Sequence, residues 1–122
     1  RMKIAIPSET DAGLESIRSG HFGHAPYFTL VTFDDGMGVT EVESVKNVDH
    51  DEAGCGGVID FVSGLGVDGI LAAGMGMPPF TRFTNAGVTV YSDTTEPNVG
   101  KVVDMFAAGN VAPMDPSAAC RH

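Results

Sequence analysis

The run Gly69-Ile70-Leu71-Ala72-Ala73-Gly74 has the length of a strand and no alternation of apolar with polar residues. A strand patterned this way must be covered on both faces, as strands are in sheets with helices above and below. That demand constrains the fold of the chain more than any other feature, and the flanking segments supply what it needs. Lys3-Ile4-Ala5-Ile6-Pro7 reads as a short buried strand ended by proline. Tyr27 to Phe33 is rich in aromatic and β-branched residues and reads as a second strand. Asp34-Asp35-Gly36-Met37-Gly38 carries turn chemistry, so Val39 to Lys46 should return antiparallel as a third. Glu41 and Glu43 suit an exposed sheet edge there.

The period then changes. Val58, Phe61, Val62 and Leu65 fall at helical spacing, which predicts an amphipathic helix from about Cys55 to Gly64. Pro78-Pro79 suits the first turn of a second helix, with Phe80 and Phe83 facing inward. Val88 to Ser92 reads as a fifth strand. Thr95 as cap and Pro97 as first residue would open a third helix carrying Val99, Val102, Val103 and Phe106, stopped by Gly109. The order βββ-αβ-αβ-α predicts a single α/β domain over residues 2–109. Its five-stranded mixed sheet would have the order 3-2-1-4-5, strand 2 antiparallel and helices on its flanks. Met2 is read as the natural start. Residues 110–122, with Pro113 and Pro116, are read as a flexible tail.

In that topology the loops holding His21 and His24, Asp49 to Gly57, Met75 to Pro79 and Asp93 to Pro97 all leave one edge of the sheet. Open α/β sheets bind ligands beyond the carboxyl ends of their parallel strands. The donor residues of the chain therefore gather where a site is expected.

Composition excludes several classes. Sixteen acidic against seven basic residues, a net charge of -9, is the wrong balance for nucleic acid. No apolar run reaches membrane-spanning length and no basic-then-apolar leader is visible, so the cytoplasm is the expected location. In such a compartment Cys55 and Cys120 are expected as free thiols, available to metal. No Gly-x-Ser-x-Gly elbow and no phosphate-loop lysine motif is present.

The chemistry-bearing residues sit on glycine-flanked loops. In Ser19-Gly20-His21-Phe22-Gly23-His24, Gly20 and Gly23 would let backbone approach a ligand closely. His21 is the foremost candidate metal ligand; His24 is either a second nitrogen donor or an exposed turn residue. Phe22 either lines the same cofactor site or plugs the core. Cys55, placed at the predicted helix start, would have its thiolate favoured by the free N–H groups and partial positive charge there, with a small buried hydrophobe at a tight helix entry as the competing explanation. Gly54, Gly56 and Gly57 would add N–H donors able to cradle sulfide or oxide. His50, in Asp49-His50-Asp51-Glu52, is a secondary ligand candidate against a solvated acidic loop. Gly74-Met75-Gly76-Met77 offers two thioethers suited to copper(I), with core filling as the competing explanation. Arg82 would balance an anionic ligand or is surface charge. Nitrogen and soft sulfur donors together point to a soft metal or a metal–sulfur cluster.

Three segments carry a resemblance: Lys3 to Pro7, His21-Phe22-Gly23-His24-Ala25-Pro26-Tyr27-Phe28, and Gly69 to Gly76. Together with the glycine-rich helix start, they resemble the dinitrogenase iron–molybdenum cofactor biosynthesis family. The likeness spans roughly residues 2 to 108. It implies a ribonuclease H-like fold and a carrier or scaffold of nitrogenase cofactor precursors, or of a molybdenum–copper sulfide cluster as in the small orange proteins. Position by position, it implies a cluster-binding role for His21; where the family often has Arg after His-Phe-Gly, this chain has His24. The expected function is non-catalytic carriage of a molybdenum-containing metal–sulfur cluster, by a monomer or weak dimer that exchanges cargo with a protein donor or client. A metal-free interaction or regulatory module is the alternative, and a Cys-dependent enzyme the third.

Overall fold

The computed structural model describes residues 2–20, 22–48 and 50–114, with residues 50–55 described by backbone alone. Among them the chain forms a mixed α/β fold of six strands and three α-helices. The strands are β1 (Met2–Ser8), β2 (Tyr27–Phe33), β3 (Val39–Lys46), β4 (Gly69–Ala72), β5 (Thr89–Ser92) and β6 (Ala112–Pro113). The helices are α1 (His50–Ser63), α2 (Met77–Asn85) and α3 (Val99–Ala107), with a 3-10 turn at Gly13–Glu15. The sheet runs β3-β2-β1-β4-β5-β6. β2 is antiparallel to β1 and β3, while β1, β4 and β5 are mutually parallel.

Covering both faces of β4 is achieved as its composition demands. Ile70 and Ala72 point to one layer with Ala5, Phe28 and Leu30, under Val58 and Val62 of α1 and Phe83 of α2. Leu71 points to the other with Ile4, Ile6, Val31 and Phe33, under Val99, Val102, Val103 and Phe106 of α3. The alternation of Ile4, Ala5 and Ile6 between the two layers is the period-2 rule of a pleated strand. At Gly69 a Cβ would come within 2.7 Å of the Tyr91 ring, so glycine there is what lets the β5 tyrosine lie across β4.

Two expectations are corrected. The sheet has six strands, not five, because residues 112–113 pair antiparallel with β5 inside the segment read as a tail. Proline signalled mobility in the sequence, but on an outermost strand a missing N–H costs nothing. Val111 and Met114, both buried, pin the strand from either end. The third helix begins at Val99 with Asn98 as its cap, its side chain accepting from the Lys101 amide at 2.9 Å. Thr95 is instead drawn to Asp93, its hydroxyl donating to the carboxylate at 2.8 Å. No helix among the described residues is long and apolar enough to cross a membrane.

Candidate functional site

Strand register fixes a common rim. Ser8 stands opposite Tyr27, Tyr27 opposite Lys46, and Ala72 opposite Ser92. The connections after β1, β3, β4 and β5 therefore all leave the same edge. After β4 the chain turns to the layer of α1 and α2; after β5 it turns to the layer of α3. Connections that diverge to opposite faces leave a crevice between them, the usual ligand position in such sheets. A cavity of about 160 Å³ lies there, lined among others by Arg18, Ser19, Gly20, Ala73, Asp93 and Glu96. Depressions of about 230 Å³ at Met2, Lys3 and Asp68, and beside Phe80 and Met114, are larger but lie away from the carboxyl ends of the parallel strands.

The first loop crosses this rim from one face to the other. Leu14 packs with the α3 layer and Phe22 with the α1–α2 layer. Between them the chain is stitched down. The Ser19 amide donates to Pro7 O at 2.9 Å, the Arg18 amide to Pro97 O at 2.7 Å, and the Val99 amide to Ser16 O at 3.0 Å. The Arg18 side chain is only 6% exposed and that of Asp93 10%. Arg18 Nη1 donates to Asp93 Oδ2 at 3.0 Å and to Glu96 O at 2.8 Å, and Nη2 donates to Asp93 O at 2.8 Å. Its Nε is buried without a partner among the described residues. Burial lowers the pKa of Arg18, offset in part by the charge and hydrogen bond of Asp93 and the charge of Glu96. Burial pushes the Asp93 carboxyl upward. The Glu96 amide, the Thr95 hydroxyl and amide, and the charge of Arg18 outweigh that and hold it below its ordinary value.

The residues proposed from sequence are distributed unevenly. His21 lies outside the described residues, as do the side chains of His50 and Cys55. Gly20 is exposed at the crevice, with open space where a Cβ would stand. Phe22 is 8% exposed and meets Phe83 edge-on in the α1–α2 layer, ring centroids 5.7 Å apart. Asn47 holds the following residues, its Nδ2 donating to Ala25 O at 2.8 Å and its amide to Pro26 O at 3.0 Å. A weaker contact from Asn47 Nδ2 reaches Gly23 O at 3.5 Å. His24 is exposed.

Helix α1 begins at His50, which corrects the expected setting of Cys55 and its glycines. Only the first four N–H groups of a helix lack an internal partner. Gly54, Gly56 and Gly57 lie beyond them, so they do not form an open cradle of donors, and Cys55 is about 7.5 Å along the axis from His50. Gly56 instead makes room for Arg82, whose Nη1 would stand 2.8 Å from an added Cβ. Arg82 pairs with Asp60 at 3.4 Å on the exposed helix surface. Met75 is buried in the core, and Met77 packs half-buried against it. Gly74 and Gly76 line the β4–α2 connection, but Pro78 and Pro79 remove two of the N–H groups that a helix start would offer an anion. Among the described residues no three His, Cys, Asp or Glu side chains come together as a metal site.

Arg18 and Asp93 are the rim residues that sequence reading passed over. The available signal was Asp93-Thr94-Thr95, a side-chain-capped turn pattern; nothing in the sequence marks Arg18 as buried.

A family model described as dinitrogenase iron–molybdenum cofactor matches residues 2–109. No curated protein matches the chain. Among solved structures, that of PH0822 is similar with a TM-score of 0.78 and 28% identity, over 93% of this chain and 96% of that one. An NMR structure of a putative NifB protein from Thermotoga, of the DUF35 family, is similar at 0.73 and 29%, over 93% of both chains. The apo orange protein from Desulfovibrio gigas shares the fold at 0.75, with 24% identity over 94% of this chain and 98% of that one.

Proposed function

Because this chain belongs to the dinitrogenase iron–molybdenum cofactor family, we propose that it binds and carries a metal–sulfur cluster as cargo, without turning it over. The cargo contains molybdenum, as an iron–molybdenum cofactor precursor or a molybdenum–copper sulfide. The observation that supports this reading is the crevice between β4 and β5, walled by residues 18–20, which adjoin His21 in sequence. Its size supports a compact inorganic group: pockets for organic ligands run to about 300–1,000 Å³, against about 160 Å³ here. His21 is the first contact, followed in sequence order by His24, His50 and Cys55 as further donors; Gly20 leaves room for close approach. Few ligands suit a carrier, which must release what it holds.

With a net charge of -9 and Glu96 beside the paired Arg18 and Asp93, the rim does not attract anions at long range. Direct ligation must therefore supply the affinity. Incubation with tetrathiomolybdate and copper(I), followed by desalting, should leave molybdenum bound and a visible absorption band. His21→Ala should lose both while keeping the melting temperature. A colourless, molybdenum-free protein, after that incubation and after isolation from its native host, would refute carriage; unchanged loading of the variant would remove His21 from it.

A further inference from the structure

A buried arginine is costly unless each of its donors is engaged. Arg18 spends two nitrogens on one loop, gripping the Asp93 carboxylate and two backbone carbonyls at once. Residues 18–20 form one wall of the crevice and residues 93–97 contribute the other. The guanidinium thus spans the walls, and the backbone repeats the link through Arg18 N and Pro97 O. Past this point the chain runs only to Phe22 before it is anchored again, on the opposite face of the sheet. Any widening of the crevice must break the Arg18 contacts or pull Phe22 out of the core.

We propose that Arg18, locked to Asp93 and Glu96, is the positioning residue that fixes the width of the crevice and so the retention of cargo. This rests on the carrier reading above. Arg18 acts through the walls and is not itself a ligand. Its fork, which grips carboxylate and carbonyls together, is a task lysine performs only in part.

The test uses the whole protein with Arg18→Met, Arg18→Lys and Asp93→Asn. Two quantities are read: amide hydrogen exchange across both walls, and release of molybdenum from protein loaded with tetrathiomolybdate and copper(I). In Arg18→Met, exchange at Ser19, Gly20, Thr94 and Glu96 should rise together while the amides of β1 and β4 stay protected. Release should quicken by roughly tenfold or more, the scale of lost charge-assisted hydrogen bonds. Arg18→Lys should fall between the parent and Arg18→Met in both readouts. Should Arg18→Met not fold, the lysine and Asp93→Asn variants give the same ordering. Unchanged wall exchange, or release that tracks only global stability, overturns the proposal. If the parent takes up no molybdenum, the carrier reading fails and, with it, the retention role; wall exchange then decides separately whether Arg18 sets the crevice.

Discussion

Replacing Phe22 with alanine separates two roles for the aromatic ring of the His-Phe-Gly motif, anchor or cargo contact. The ring is 8% exposed and lies edge-on to Phe83 in the α1–α2 layer. Burying a phenylalanine contributes about 1.5–3 kcal/mol by transfer alone, and an edge-on aromatic pair adds about 0.5–1.5 kcal/mol. Truncation in a well-packed core costs about 3–5 kcal/mol once the cavity is included. Phe22 sits at the margin of its cluster, on a loop that can partly close the gap, so the lower figure applies. A loss of about 3 kcal/mol would lower the urea midpoint by about 1–3 M at the slopes usual for small domains. Circular dichroism is the suitable probe, because the chain has no tryptophan. A loss below about 1 kcal/mol, close to what surface substitutions cause, would refute the anchoring role and return Phe22 to the cargo site. Phe22→Leu should recover most of the loss.

Three further outcomes follow from the same structure. The Asp93 carboxyl titrates below its ordinary value in the folded protein, so its contribution to stability is complete at neutral pH. It is lost as pH falls below the unfolded value and through the lower native one; urea midpoints measured from neutral to acid pH should drop less in Asp93→Asn than in the parent. Gly56→Ala displaces only the exposed end of Arg82, and alanine gains up to about 1 kcal/mol in a helix interior. The variant should melt no lower than the parent, whereas a clear fall would show that the Arg82–Asp60 pair matters more than its exposure allows. Added salt should speed association of tetrathiomolybdate with the protein, because screening weakens the repulsion between two anions; a marked slowing would reveal a local positive field at the rim.

β2 and β3 are legible to the residue, because aromatic and β-branched content marks β2 and the Asp34 turn sets the return of β3. Asp34 Oδ1 accepts from Gly36 and Gly38 at 2.9 Å, a contact made within five residues and visible in sequence. The start of α1 is ambiguous in sequence for an equally local reason. Asp49-His50-Asp51-Glu52 looks like a solvated loop, yet acidic residues also favour the first turn of a helix. The cap of α3 shows a different limit. Thr95-Glu96-Pro97 and Asn98 both carry capping chemistry, and what decides between them is Asp93, held by an arginine 75 residues away in sequence. Arg18 itself was illegible because its burial follows from the packing of two loops and from no pattern in its own segment. Met75 carries two competing explanations in sequence, and only the packing shows it buried in the core.

The direction of β6 has a practical meaning. Ala112 lies opposite Ser92 and Pro113 opposite Tyr91, and the Met114 amide reaches Val90 O, so the backbone is heading away from the crevice when it passes Met114. A dye, a bead or a fused partner joined at that point would start beside Val90 and not at the crevice. Tethering through that side leaves the mouth between β4 and β5 facing solution, which is the orientation that a surface-based measurement of loading and unloading requires.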